Sequence, residues 1–243
     1  MKNFKLILSI IIIFVVFVCL YYFTPIKGNF DKTLITISTF VFTICAGFFI
    51  SRQGSRYSEI RKSISNIDGN FSSLYRSSGH LGIETQEKMG QLIKIYYKNI
   101  LESKLWNYNL THKTTTLTDL HKLLDSVTRG TLSPIENIAA SRVMLSLGNI
   151  QLERKNLVAL CEERVPFFQL ITTYFLSFTL LFALFVAIPS NHLLVESFLK
   201  GVFSTSVIII LILLKQLDKL ELFEGIIGEH SARDVIDIID NKK

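Results

Sequence analysis

Charge is missing from long stretches of this chain. Residues 6–23, 34–50 and 167–188 contain no Asp, Glu, Lys, Arg or His, and residues 197–214 contain only Lys200. A machine coupled to protons or cations normally keeps an ionisable group deep in the bilayer, because its desolvation is tolerated only for function. The lack weighs against proton channels, secondary transporters and stator-type subunits. Cysteine is scarce too: Cys19, Cys45 and Cys161 have no metal-ligand spacing, and an odd, sparse set argues against a disulfide framework. The five histidines are dispersed, so no metal and no cofactor is expected. There is no glycine-rich phosphate loop and no nucleophile elbow, and Gly79-His80-Leu81-Gly82 is too short to count as one, so the chain does not read as an enzyme. Lys and Arg are scattered rather than striped, which excludes nucleic acid as the expected partner.

What is abundant is apolar sequence in blocks. The 243 residues are 49% hydrophobic with 19 Phe, and the four runs just named come in two pairs. Each has roughly the 20 residues that a helix needs to cross a bilayer. The fold class expected is therefore all-α: an integral membrane protein with four transmembrane helices in two hairpins and a helical cytosolic domain. The first run, at 6–23, is long for a signal peptide and no small-x-small cleavage site follows, so it reads as a retained helix.

Short loops orient such a chain through Lys and Arg. Lys2 and Lys5 precede the first run. Arg52, Arg56, Arg61 and Lys62 open the middle segment, and Arg154, Lys155 and Arg164 close it. Lys215, Lys219, Lys242 and Lys243 follow the fourth run, whereas the turn at 189–196 has none; Lys27 and Lys32 in the turn at 24–33 are a weaker counter-signal. The consistent solution puts both termini and the middle segment in the cytoplasm of a multi-pass plasma-membrane protein. The expected divisions are 1–50 (first hairpin), 51–165 (cytosolic domain), 166–214 (second hairpin) and 215–243 (cytosolic tail).

The middle segment is patterned for helices. Met89, Leu92, Ile93, Tyr96, Tyr97, Ile100, Leu101 and Leu105 recur at helical spacing, and Leu117, Leu120, Leu123, Leu124 and Val127 make a shorter amphipathic stretch. Residues 111–116 read as a loop. Ser133-Pro134-Ile135-Glu136 is a complete helix start: Ser133 caps, Pro134 fits the first turn and Glu136 sits three residues on. From there Ile138, Leu145, Leu152 and Leu160 carry a long helix towards Val165, where Pro166 breaks it. In the tail Leu217, Leu220, Phe223, Ile227, Val235, Ile238 and Ile239 give an apolar face, expected to pack on the cytosolic helices or on a neighbouring subunit.

The second run carries a hydroxyl-bearing stripe, Thr36, Thr39, Thr43 and Gly47, at spacings of three and four. The third has Thr172, Thr179, Ala183 and Ala187; the fourth has Ser197, Gly201 and Ser204. Small residues of this kind pack helices closely in membranes. Together with Phe40, Phe48 and Phe49, the stripe on the second run also suits a pore wall of hydroxyls and bulky rings. Arg52 and Arg56, four apart, are candidates for contact with lipid phosphates or for an anion vestibule. Lys200, one turn after Glu196, is expected to snorkel or to pair with it.

Phe49, Ser51-Arg52, Ser55, Tyr57 and Glu59, then Leu74-Tyr75-Arg76, resemble the bacterial family described as bestrophin-like. Tyr96-Tyr97 followed by Leu105-Trp106, Arg154-Lys155, Val165-Pro166 and Leu217-Asp218 match its pattern in order. The resemblance implies a homo-oligomer, a pentamer as in true bestrophins, which conducts anions and lines its neck with helix two. The implied pore-lining positions are Thr36, Thr39, Phe40, Thr43 and Gly47, the implied ligand is a small anion, and the lipid bilayer is the surrounding partner. Animal bestrophins carry an acidic calcium clasp after helix four. Here Asp218, Glu221 and Glu224 fall in that region without calcium-ligand spacing, and an amphipathic tail explains them. A non-conducting membrane platform, whose cytosolic helices bind a partner, is the alternative reading.

Overall fold

The structure, a computed structural model, describes residues 2–23, 32–103, 105–112, 114–187, 193–220 and 228–240. Every described element is helical: α1 (Lys2–Phe23), α2 (Lys32–Ser78), a 3-10 turn (Gly79–Leu81), α3 (Ile83–Ser103), α4 (Tyr108–Thr111), α5 (Thr116–Thr128), α6 (Pro134–Glu162), α7 (Phe167–Ala187), α8 (Leu193–Asp218) and α9 (Gly228–Ile239). Lys27, Phe223, Glu221, Glu224, Ile227, Pro189 and the last two lysines lie outside the described residues.

Among the described residues, three helices are long and apolar enough to cross a membrane: α2 through its first part, α7 and α8. The described apolar part of α1, Leu8–Phe23, is shorter. The main departure from the sequence pattern is α2. The apolar run ending at residue 50 is only the beginning of a 47-residue helix, about 70 Å long at the α-helical rise and more than twice the thickness of a bilayer core. Nothing in the sequence stops it. Residues 32–78 contain no proline, and Ile60, Ile67, Phe71 and Leu74 continue the helical spacing of buried positions past the first arginines. α6 stops at Glu162, three residues before the expected end. The residue preceding a proline is biased out of the α region, and the extended conformation already begins at Glu163 (φ −61°, ψ 121°).

The chain divides into two compact units, 1–54 with 164–219, and 55–163 with 220–243. In the first unit Phe42 and Ala46 of α2, Leu180 of α7 and Val207 of α8 form the packed centre. α1 lies against α8. There the absent side chain of Gly201 lets Val18 approach: a Cβ would sit 2.5 Å from its Cγ2. Phe14 meets Phe198 edge-on at 5.7 Å.

The second unit has a larger core. Ile60, Ile67, Phe71 and Leu74 of α2 meet Met89, Ile93 and Tyr97 of α3, Leu120 and Leu124 of α5, and Val143, Leu147 and Ile150 of α6. The tail helix α9 closes it with Ala232, Val235 and Ile239, so the tail packs on this unit's own helices. Gly90 of α3 gives it room, since a Cβ there would touch Tyr75 and Ile239 at 3.0 and 3.1 Å. The capping box is formed as read: Ser133 N–H donates to Glu136 Oε2 at 2.7 Å, and Glu136 N–H to Ser133 Oγ at 3.3 Å.

Candidate functional site

The candidate stripe lies on the apolar part of α2. An α-helix in a bundle must turn one side to its neighbours, and here that side carries Ser38, Phe42, Ala46, Phe49 and Gln53, all buried. Thr36, Phe40, Thr43 and Gly47 fall on the other side and are exposed, with Thr39 half-buried between the two. Phe40 is 66% exposed, and a Cβ on Gly47 would meet nothing within 4 Å. The structure therefore turns Thr36, Phe40, Thr43 and Gly47 to the outward side of α2 within its unit and leaves Thr39 at its edge.

Hydroxyls along the apolar helices are satisfied locally. Thr43 donates to Thr39 O at 2.8 Å. The same i−4 bond recurs at Thr172, Thr173, Ser177 and Thr179 on α7, and at Thr205 and Ser206 on α8. This arrangement lets a hydroxyl sit in an apolar medium without an orphan donor. Tyr21 and Ser204 hydrogen-bond across α1 and α8 at 2.8 Å. Lys200 is buried, its Nζ 5.7 Å from the centre of the Tyr21 ring. Sequence spacing pointed to snorkelling or to Glu196 and did not show that aromatic face.

The two arginines after the stripe part company. Arg52 is exposed. Arg56 is buried and donates from Nε to Leu160 O at 2.7 Å and from Nη2 to Cys161 O at 3.2 Å. These are among the last carbonyls of α6, which lack intrahelical partners and carry the negative end of the helix dipole. Arg56 thus caps a helix. Burial holds the Cys161 thiol above its usual pKa, against the opposing pull of the Arg56 charge.

Residues that looked like scattered motif positions meet in pairs. The Pro166 break frees the N–H of Val165, which donates to Asp218 Oδ1 at 2.8 Å, and Arg164 lies 3.9 Å from the same carboxylate. Phe49, Val165, Leu170, Thr173, Leu211 and Leu214 line an apolar cavity of about 180 Å³ that also touches Lys215 and Asp218.

Tyr97 Oη donates to Asp68 Oδ1 at 2.5 Å, and Ser231 of α9 donates to Asp68 Oδ2. Burial raises the Asp68 pKa, with those two hydrogen bonds opposing and the Asp234 charge adding to the rise. Burial likewise pushes Tyr96 up to about 12 and Tyr97 well above its ordinary value, so both stay protonated. Arg154 donates to Asn109 O at 3.3 Å, and Asn109 Nδ2 donates to Tyr96 O at 2.9 Å. Sequence reading missed Asp68. The signal available was an acidic residue placed one helical step from Ile67, Phe71 and Leu74, on the buried side of α2.

Among the described residues no three His, Cys, Asp or Glu side chains cluster as a metal site. The model of the Bestrophin-like domain family matches residues 8–227. No curated protein sequence matches significantly. Among solved structures, a mutant of a bacterial bestrophin homologue from Klebsiella pneumoniae aligns with a TM-score of 0.65 at 15% identity, covering 98% of this chain and 99% of that one. A crystal structure titled only as a mutant membrane protein aligns with a TM-score of 0.56 at 16% identity, covering 99% of each chain. At these identities the likeness is one of fold.

Proposed function

Because the chain belongs to the Bestrophin-like domain family, we propose that it works as a passive, homo-oligomeric membrane channel for small anions, with the apolar part of α2 lining the pore. The observation that supports this most is the outward side of α2. In a span without charge, Thr36, Phe40, Thr43 and Gly47 turn away from the helices of their own unit. Bulky rings and backbone-bonded hydroxyls form a wall that holds no ion tightly, which passive conduction requires. In this reading α1, α2, α7 and α8 make four crossings of the plasma membrane. Both termini, residues 51–165 and the tail from 215 are cytoplasmic. Five copies surround the pore, as the family resemblance implies. Arg52 stands at the cytoplasmic mouth, where an exposed cation concentrates anions or holds lipid phosphates. Arg56 stays with α6.

Reconstitution of the purified chain into planar bilayers tests the proposal. Chloride current is expected, reduced by Thr43→Phe and raised by Phe40→Ala. Absence of current across pH, calcium and voltage overturns it. The platform alternative predicts the reverse pattern in cells, with loss of activity on deleting residues 63–133 and silence on substituting Thr39 or Thr43.

A further inference from the structure

The cavity of about 180 Å³ between α2, α7 and α8 changes chemistry along its length. On α8 its lining passes from Leu211 and Leu214 to Lys215, Asp218 and Lys219, over about 12 Å at the helical rise. Phe49 of α2 and Leu170 of α7 complete the apolar wall. The Thr173 hydroxyl in that wall already donates to Gln169 O at 2.9 Å, so water finds few partners there. An apolar cavity of this kind stays dry. A dry void in a bundle held by close packing forfeits contacts along its whole wall. At Gly201, by contrast, the helices of the same unit approach until a Cβ would sit 2.5 Å from Val18.

The charged end has a definite sign. Asp218 is engaged by its own chain: Oδ1 accepts from the Val165 N–H at 2.8 Å, and Arg164 lies 3.9 Å from Oδ2. Its charge is thereby offset, and the exposed Lys215 and Lys219 make this end cationic. On the membrane placement proposed above, Phe49, Leu170 and Leu214 lie where three spans meet the cytoplasmic surface. The first turn of α7 exposes Phe167 and Phe168 beside them.

We propose that this cavity binds an anionic phospholipid of the surrounding bilayer. One acyl chain lies against Phe49, Leu170, Leu211 and Leu214, and Lys215 and Lys219 hold the phosphate. Pockets for ordinary soluble organic ligands run to about 300–1,000 Å³, larger than this space. A hydrocarbon chain can fill a narrow cavity with part of its length and leave the rest in the bilayer. A free phosphate makes no use of the apolar wall, and an uncharged headgroup makes none of the lysines. Lysines at a membrane surface attract anionic headgroups. The inference rests on the membrane placement and not on conduction.

The test takes the full-length chain in nanodiscs of phosphatidylcholine and phosphatidylglycerol in equal parts, with a photoactivatable group on the acyl chain of one lipid at a time. The phosphatidylglycerol probe is expected to label peptides from residues 165–174 and 211–219 about tenfold more than the phosphatidylcholine probe. Lys215→Gln with Lys219→Gln brings the two probes level, whereas Lys122→Gln on α5 leaves the preference intact. Leu214→Phe fills the cavity and also brings the probes level, at unchanged helical content. Equal labelling of the unsubstituted chain, a preference that survives either set of substitutions, or full competition by soluble glycerol phosphate overturns the site. So do peptides that neither probe labels, as when a second copy of the chain covers the cavity. Absence of labelling throughout the apolar helices overturns the membrane placement itself. Chloride current without a lipid preference overturns this site and leaves the channel standing, and a lipid preference without current does the opposite.

Discussion

The two units bury polar groups with different emphasis. In the first, most hydroxyls bond back to their own helix, Tyr21 with Ser204 being the pair that crosses between helices, and the exposed surface is phenylalanine, leucine and isoleucine; the helices approach closely, as at Gly201 against Val18. In the second, large apolar side chains fill the interior. The buried polar groups reach across helices instead: Tyr97 of α3 and Ser231 of α9 to Asp68 of α2, and Arg56 of α2 to α6. The proposed placement, with the first unit in lipid and the second in water, accounts for the contrast. Lipid offers no hydrogen bonds and no hydrophobic gain on burial, so close packing and local satisfaction must hold a membrane bundle. Water rewards apolar burial, and a polar group taken inside needs a partner from elsewhere in the fold.

The largest expected effect separates the two rules directly. Leu147→Ala in the second unit removes a fully buried side chain and is expected to cost about 2–5 kcal/mol. Leu180→Ala, equally buried in the first unit, forfeits packing without a transfer term and is expected to cost roughly half as much. Equal losses in denaturation of the detergent-solubilised protein would erase the distinction. Next is Gly201→Ala. Its added carbon must displace Val18, at a cost of about 1–3 kcal/mol, read as a lower melting temperature.

Tyr97→Phe takes one donor from Asp68 and is expected to cost about 1–2 kcal/mol. The same carboxyl gives a pH signature. Its folded pKa is raised, so the stability it contributes is present in acid and is lost as pH climbs from the ordinary value of 3.8 through the folded one. Asp68→Asn should flatten that slope in melting curves taken between pH 4 and 7. A parallel fall in both proteins assigns the slope to another group. The smallest effect is at the cap. Ser133→Ala is expected to lose about 1 kcal/mol, and helicity restored by Asp at the same position confirms capping as the cause.

Much of this architecture was legible because it depends on local pattern. The apolar runs, the Ser133–Glu136 start and the break at Pro166 are each written within a few residues. The continuation of α2 past residue 50 was harder to see, because its buried side changes from Phe42 and Ala46 to Ile60 and Phe71 while its exposed side changes from phenylalanine to serine and arginine. The two periodic patterns belong to one helix that contributes to both units. The stripe from Thr36 to Gly47 was legible as a face, and the structure turns it away from its own unit. Arg56 and Asp68 were not, because their partners lie 104 and 163 residues away in sequence, at Leu160 and Ser231. Charge near a membrane run suggests lipid, and only the fold places a helix end beside it.

The second unit is completed by α9, which the ribosome makes after α7 and α8. Until Ala232, Val235 and Ile239 emerge, Phe71, Tyr97 and their neighbours lack part of their cover. Asp68 lacks its Ser231 partner for the same interval. The order of synthesis therefore obliges this unit to wait, partly assembled, while the apolar helices between its two pieces are made. Its core therefore closes last, when α9 arrives.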